Sequence, residues 1–393
     1  MSRLRVAVLR DLLEEGWPSM DQSAEMLLHQ LRSGYHQRLS VEEVCPPMRR
    51  RFSTGAGGAV RWLGAPAWGQ NADRLLNRFW DYPRAVRSLR GHFDIFHLVD
   101  HSYAQLLHQL PAGRTVVTCH DLDTFRCLLQ PAAEPRTAAF RAMARRILSG
   151  LRRAARVVCV SEATRQQLLS FGLLAEERVV VVSNGVDPVC SPDSEVEADA
   201  AAAALLGPVD PDVPELLHVG STIARKRIDV LLRVAAAVRS EVPGLRLVRV
   251  GGPLTGEQRA LLGRLELESS FVELPFLSRN TLAAVYRRAT LALQPSDAEG
   301  FGLPVIEALA CGTPVVASDL PALREVAAAA AAYCPPGDVA AWTAEILRQL
   351  RERDNGDHGW SARRACALDR AALFSWEENA RRMVEIYQEV VSE

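Results

Sequence analysis

Short apolar, β-branched runs alternate with amphipathic helical stretches along this chain, and that alternation constrains the fold more than any other feature. The runs are Arg5–Leu9, Ile95–Val99, Thr115–Cys119, Val157–Val160 and Val179–Val182, followed by Leu216–Val219, Leu245–Val250, Leu291–Gln294 and Val315–Ala317. Segments of helical period lie between most of them, at 22–32, 136–154, 228–240 and 281–288. Strands that are apolar throughout, with helices between them, predict parallel sheets covered on both faces. A stretch rich in Pro, Asp and Ala, with little strand character, interrupts the series at about 187–213. The fold class expected is therefore α/β, as two doubly wound Rossmann-like domains. Residues 1–187 form the first, 188–213 a linker, and 214–374 the second. Ala327–Ala332 reads as low-complexity helix filler. In such sheets ligands bind beyond the carboxyl ends of the strands, so the loops there carry the search for function.

A length of 393 residues fits two domains. No run approaches 18 uncharged apolar residues, which excludes a transmembrane helix, and the apolar part of the first 17 residues is too short for a secretory leader. The 8 cysteines are scattered without a CxxC pair. They read as reduced thiols of a cytoplasmic protein, with no zinc site. The net charge of −1 hides an asymmetry. Residues 1–186 hold 25 cationic against 17 acidic side chains, and residues 187–393 hold 21 against 30. The steepest part is 45–92, where Arg49, Arg50, Arg51, Arg61, Arg74, Arg78, Arg84, Arg87 and Arg90 face only Asp73 and Asp81. Phe52, Trp62, Trp68, Phe79, Trp80 and Tyr82 interleave with them. The region reads either as a solvated helical face over core aromatics or as a surface for anionic lipid or a phosphorylated acceptor. A near-neutral chain without a nucleic-acid motif argues against nucleic acid. Of the 46 cationic side chains, Lys226 is the one lysine.

The stretch Pro295–Asp319, PSDAEGFGLPVIEALACGTPVVASD, carries the most chemistry. Glu299 and Glu307 bracket seven residues that include Gly300, Gly302 and Pro304. The glycines allow close approach of backbone to a ligand, and Pro304 suits the first turn of a helix. Amides at 300–303 would then sit at a helix N-terminus, favourable for phosphate. Glu307, one turn in, would accept from a diol such as ribose, and Glu299 would hold a second polyol. A purely structural role for Glu307, favouring its helix dipole, is the competing reading. Arg225 and Lys226, a cation pair in the loop after Leu216–Val219, would clamp a diphosphate.

That motif, Glu299–Glu307 with GFGLPVIEALACGTPVVAS, resembles the signature of the retaining GT-B glycosyltransferases of the large family 4. VVVVSNGVD at 179–187, VCVSEAT at 158–164 with Ser161 at its mouth, and HVGSTIARKRID at 218–229 are similar to other segments of that family. SWEENARRMVEIY at 375–387 resembles its C-terminal helix. The resemblance covers nearly all of 95–393 and is weakest over 30–92. It implies two domains facing a cleft, with 375–393 crossing back to the first.

The resemblance also implies roles. Glu307 binds the donor ribose, and Glu299 contacts the transferred sugar. Amides of Gly300, Phe301, Gly302 and Leu303 hold sugar hydroxyls and the β-phosphate. Gly220, Ser221, Arg225 and Lys226 line the diphosphate, although many relatives carry Arg where this chain has Ser221. His120 and Asp121, in CHDLD after Thr115–Cys119, are catalytic, with His120 contacting the sugar. Gly16, Trp17, Asp100, His101 and Ser161 are acceptor-side candidates. The implied reaction is hexosyl transfer, with retention, from a UDP- or GDP-linked sugar to a hydroxyl of a glycan or lipid-linked acceptor. The leaving phosphate takes the acceptor proton, and neither cofactor nor metal is needed. Asp121-Leu-Asp123 is a DxD pattern, but so is Asp210-Pro-Asp212, and the pattern is short and common. A sugar-nucleotide epimerase of the same fold and a non-catalytic membrane-associated scaffold are the competing functions. The expected location is cytoplasmic, with peripheral contact at the inner face of the plasma membrane through 45–92.

Overall fold

A computed structural model describes residues 3–53, 66–356 and 358–393. They divide into two compact units, one of residues up to Asn184 with Trp376–Glu393, the other Gly185–Ser375.

The first unit holds a six-stranded parallel sheet. Its strands are β1 (Leu4–Leu9), β2 (Leu39–Val44), β3 (Ile95–Leu98), β4 (Thr115–Cys119), β5 (Arg156–Cys159) and β6 (Val179–Val181), in the order β2-β1-β3-β4-β5-β6. Side chains alternate between the faces, so β1 sends Val6 and Val8 into one core cluster and Ala7 and Leu9 into another. The helix Trp376–Ser392 closes the first of these, burying Met383, Val384, Tyr387 and Val390. Tyr387 Oη lies 2.7 Å from His97 Nδ1 on β3, and Asn379 donates to the Ser183 carbonyl at 2.8 Å. The helix Ala138–Leu151, capped by Thr137, covers the other face. Gly150 lets it approach the turn His101–His108 so closely that a Cβ would lie 1.9 Å from the Ala104 carbonyl oxygen.

The second unit repeats the plan with β7 (Glu215–Val219), β8 (Arg246–Val250), β9 (Phe271–Leu274), β10 (Leu291–Gln294), β11 (Val315–Ser318) and β12 (Ala331–Cys334). Their order is β12-β11-β10-β7-β8-β9, again all parallel. The expected helix filler is corrected here. Ala331 and Ala332 begin the edge strand β12, because the preceding helix stops at Ala327 and Ala328 turns with φ 46°. The expected linker is corrected as well. Within 188–213 the helix Val196–Leu206 buries Ala198, Ala202 and Leu206, one helical face, against the second unit. Arg287 reaches Asp199 at 2.6 Å, and Arg288 donates to the Gly207 carbonyl at 3.0 Å. Among the described residues no helix is long and apolar enough to cross a membrane.

Candidate functional site

In the second unit the loops after β7 and β10 converge. The loop after β10 leads through Gly302, which takes φ 99°, into the helix Leu303–Ala310 with Pro304 in its first turn. A β-carbon at Gly302 would sit 2.6 Å from Leu323 Cδ2, so that entry needs glycine twice over. The loop after β7 forms a short turn, Ala224–Lys226. The Asp297 amide donates to the Arg225 carbonyl at 2.8 Å, and Arg225 Nη1 donates to the Ala298 carbonyl at 3.0 Å. Arg227, assigned no role from sequence, pins the same junction with a fork to Asp229 and a 2.8 Å bond to Asp297.

These loops bring Glu299, Arg225 and Lys226 into one group. Lys226 Nζ lies 2.7 Å from Glu299 Oε1, and Arg225 Nη1 lies 3.3 Å from Oε2. Ser296 Oγ donates to Oε1 at 2.7 Å, and Gln294 Nε2 donates to the same oxygen. Burial pushes the Glu299 carboxyl up, but the charges of Lys226 and Arg225 and the bonds from Lys226 and Ser296 outweigh it and hold it down to about 2. Two cations against one carboxylate leave the group net positive. An ammonium has three donors, and Glu299 takes one of Lys226's. The arrangement can receive a polyanion while keeping a carboxylate oriented for hydroxyl groups.

Glu307 sits one turn into the helix, 5% exposed, and its Oε2 accepts from Tyr286 Oη at 3.1 Å. Phe301 is buried edge-on against Phe374, with ring centroids 5.7 Å apart, which fixes the backbone between Gly300 and Leu303. Gly220 and Ser221 lie at the mouth of β7, beside Lys226.

In the first unit the ends of β1, β3 and β4 gather a second polar group. His120 is buried, with Nε2 2.7 Å from the Val99 carbonyl oxygen, which makes that nitrogen the donor. Burial pushes its pKa down, so the ring is neutral near pH 7. Asp100 caps the turn His101–His108 and lies 3.1 Å from His101 Nδ1. Burial opposes the charged form of His101, but Asp100 and Asp121 outweigh it and raise its pKa. Asp121 Oδ1 is 3.8 Å from His101 Nε2 and accepts from the Asp123 amide at 2.9 Å, so the DxD pattern forms a local turn. Gly16 takes φ 65° to end a short turn, and Trp17, 43% exposed, donates to Glu15 at 3.2 Å. Ser161 is fully buried and caps the helix Glu162–Ser170 by accepting from the Thr164 amide.

Two family models match the chain, Glycosyl transferases group 1 over residues 207–363 and Glycosyltransferase Family 4 over residues 24–189. The chain belongs to the group 1 glycosyltransferases.

Relatives of the chain include the D-inositol 3-phosphate glycosyltransferase of Mycolicibacterium smegmatis, 33% identical over 248 residues, which are 61% of this chain and 54% of the relative. That of Mycolicibacterium gilvum is 34% identical over 249 residues, 61% of this chain and 52% of the relative. The chain spans about half the length of these relatives. Among solved structures, the sucrose-phosphate synthase from Thermosynechococcus elongatus superposes with TM-score 0.76 at 20% identity, covering 99% of this chain and 100% of that one. HepE from Anabaena, in complex with UDP-glucose, gives TM-score 0.72 at 17% identity, covering 98% and 100%. WaaG, a glycosyltransferase involved in lipopolysaccharide biosynthesis, gives 0.71 at 15%, covering 98% and 99%. The fold class of the chain is thus GT-B.

Several residues of the site escaped the sequence reading. Ser296 and Gln294 sit beside the motif but have no charge to mark them, and Tyr286 lies in a helix whose pattern reads as core. Asp11, just past β1, is 3% exposed, with its carboxyl beside that of Asp100. Burial and the neighbouring Asp100 push its pKa well above the usual range. Only a polar residue after a buried strand signalled it.

The arginine-rich region is largely paired. Arg51 forks onto Asp81, while Arg74 and Arg78 flank Glu15 at 3.7 and 3.5 Å. Arg84 stacks over Trp80, Arg78 stacks over Tyr103, and Arg90 donates to the Gln109 carbonyl. Tyr82 is fully buried, whereas Phe52 and Trp80 are exposed. Arg61, Trp62 and the side chain of Trp68 lie outside the described residues.

Proposed function

We propose that the chain transfers a hexose from a nucleotide diphosphate sugar, UDP- or GDP-linked, to a hydroxyl of a glycan or lipid-linked acceptor, with retention at the anomeric carbon. The observation that carries this reading is the clasp of Lys226 and Arg225 on Glu299 beside the helix that bears Glu307. Net positive charge suits a diphosphate, and the two carboxylates suit polyols at its two ends. Glu307 takes the ribose, with Tyr286 orienting it, and Glu299 takes the transferred sugar. The amides of Gly300, Phe301, Gly302 and Leu303, at a helix N-terminus, receive the sugar hydroxyls and the β-phosphate. Complexes of HepE with UDP and with UDP-glucose support uridine as the base.

On the acceptor side, neutral His120 hydrogen-bonds a sugar hydroxyl through Nδ1, since Nε2 is engaged with Val99. His101, Asp100, Asp121, Gly16 and Trp17 surround the acceptor. The leaving phosphate oxygen takes the acceptor proton, while Arg225 and Lys226 stabilise the charge that develops on the diphosphate. The exposed part of 45–92 gives peripheral contact with an anionic membrane carrying a lipid-linked acceptor. No metal is assigned a role.

A thermal-shift screen against uridine and guanosine diphosphates and their sugars tests the donor class. Turnover of the best donor with a panel of polyol acceptors, read by NMR at the new glycosidic bond, tests the stereochemistry. An α-linked product from an α-linked donor supports retention, and a β-linked product overturns it.

A further inference from the structure

The cations that flank Glu299 stand on loops, but another lies beneath them. Arg249 is fully buried in β8, an interior strand, where it is the register partner of His218 on β7. Burial of a guanidinium costs several kcal/mol unless charge and hydrogen bonds compensate, and here the compensation is partial. The facing carboxylate, Glu273, is 3.8 Å away and also accepts from Arg259 and from the Leu254 amide, both at 2.7 Å. Arg249 Nε has no partner among the described residues. His218, beside it, stays neutral, since burial and the neighbouring cations lower its pKa to about 3, so it does nothing to offset the guanidinium charge.

The guanidinium gives one donor from each terminal nitrogen to a carbonyl. Nη2 donates to Gly220 at 3.0 Å and Nη1 donates to Gly252, so one side chain ties the turns that follow β7 and β8. The turns are packed so closely that a Cβ on Gly251, φ 145°, would lie 2.1 Å from the Gly220 oxygen. Lys226 closes the other side, its Cε 3.8 Å from where a Gly220 Cβ would be. The C=O and N–H of a trans peptide point in opposite directions. Holding the Gly220 carbonyl down onto Arg249 therefore turns the Ser221 amide away from it. Ser221 itself brings no charge to this loop, and a neutral amide in the field of a partly neutralised buried cation makes a strong donor to an anion.

We propose that Arg249 is a positioning residue for the donor diphosphate: it aims the Gly220–Ser221 amide at a phosphate and adds its buried charge to those of Arg225 and Lys226. This rests on the donor reading above.

The test measures uridine and guanosine diphosphates, and the parent nucleosides, against the full chain by calorimetry and ligand-observed NMR. Arg249→Gln weakens the diphosphate about tenfold or more, the loss of a charge-assisted contact, and leaves the nucleoside unchanged. Arg249→Lys retains most of the diphosphate affinity. Glu273→Gln, which removes the facing carboxylate, tightens the diphosphate about two- to threefold with no change for the nucleoside, and it decides the matter if Arg249→Gln does not fold. An unchanged ratio of diphosphate to nucleoside affinity in the folded variants overturns the proposal. Lys226→Ala serves as the separate control. If it too leaves the diphosphate affinity intact, the donor reading itself fails, whatever Arg249 does.

Discussion

Lys226 and Glu299, 73 positions apart, meet with Nζ 2.7 Å from Oε1. The motif alone assigns them to different parts of a donor, one to the diphosphate and one to the sugar. Their pairing means that each holds the other in place before any ligand arrives. The slot is tight, since Lys226 is 8% exposed and the same carboxylate oxygen accepts from Ser296 and Gln294. A planar guanidinium is larger and demands a fork geometry. Lys226→Arg is therefore expected to lower kcat/KM about tenfold despite keeping the charge, as measured by steady-state kinetics with varied donor. Turnover equal to the parent would return the one lysine of the chain to coincidence.

The same pair predicts an acid response. Glu299 is held down to about 2, below its unfolded value near 4.5. A depressed carboxylate stabilises the fold fully above the unfolded pKa, and the contribution is lost as pH falls from about 4.5 to about 2. Lys226→Ala removes the largest charge opposing protonation, so its folded pKa rises and that contribution shrinks. Urea midpoints measured from pH 7 to pH 3 should differ most between parent and variant near neutrality and converge toward pH 3. A gap that is constant with pH would show that the lysine acts through packing alone.

Glu307 is buried on one side by its own helix and bound to Tyr286 Oη. If it grips a ribose diol, Glu307→Ala weakens nucleoside and nucleotide alike, by about ten- to a hundredfold. Tyr286→Phe, which frees the carboxylate's orientation without removing it, costs about a third of that in free energy. Calorimetry with nucleoside and nucleoside diphosphate distinguishes this from a purely structural Glu307, which would lower the melting temperature and leave affinity per folded molecule unchanged.

What the sequence announced follows from burial. The interior strands β1, β3, β4, β5, β7, β8, β10 and β11 all read as predominantly apolar runs. The unannounced strands β2, β9 and β12 are all sheet edges. LSVEEV in β2 is half-exposed and charged, and AAYC in β12 continues an alanine run. An edge has one neighbour fewer and needs less apolar character, so its pattern fades. The site divides the same way. Charged residues at strand ends, such as Arg225, Lys226 and His120, stand out against apolar neighbours. Arg249 did not, because it is one of two arginines within LRLVRV and reads as an outward-facing position until the structure shows it fully buried. The helix at 196–206 was missed because alanine satisfies a linker composition and a packed helix face equally.

Gly150 provides a test of packing that runs against local propensity. Alanine is the better helix former by about 1 kcal/mol, yet a Cβ there would lie 1.9 Å from the Ala104 oxygen and 2.6 Å from its carbon. Backbone atoms cannot swing aside as a side-chain end would. Gly150→Ala should therefore destabilise the first unit, by about 1–3 kcal/mol net in chemical denaturation. A stabilised variant would show that the turn His101–His108, and with it His101, has room to move.

The arginine-rich region yields the last expectation. Arg51, Arg74, Arg78 and Arg90 are tied to protein partners, so only part of the charge counted from sequence is free to face an anion. Arg49, whose side chain is 74% exposed and only 3.9 Å from Asp81 at one end, still faces solvent, and exposed Phe52 and Trp80 supply apolar anchors of the kind that sit at a lipid headgroup boundary. If this face meets a membrane, vesicles of phosphatidylcholine with 30% phosphatidylserine, taken as roughly the anionic fraction that gives a strong surface potential, should recruit the chain in sedimentation at low salt. Neutral vesicles should not, and about 0.5 M salt, which shortens the screening length below about 5 Å, should release it. Trp80→Ala should weaken recruitment while leaving donor affinity unchanged, because Trp80 belongs to the first unit and Glu307 and Lys226 to the second. Equal sedimentation with neutral and anionic vesicles, or none at low salt, would leave these arginines as a solvated face that holds its own aromatics in place.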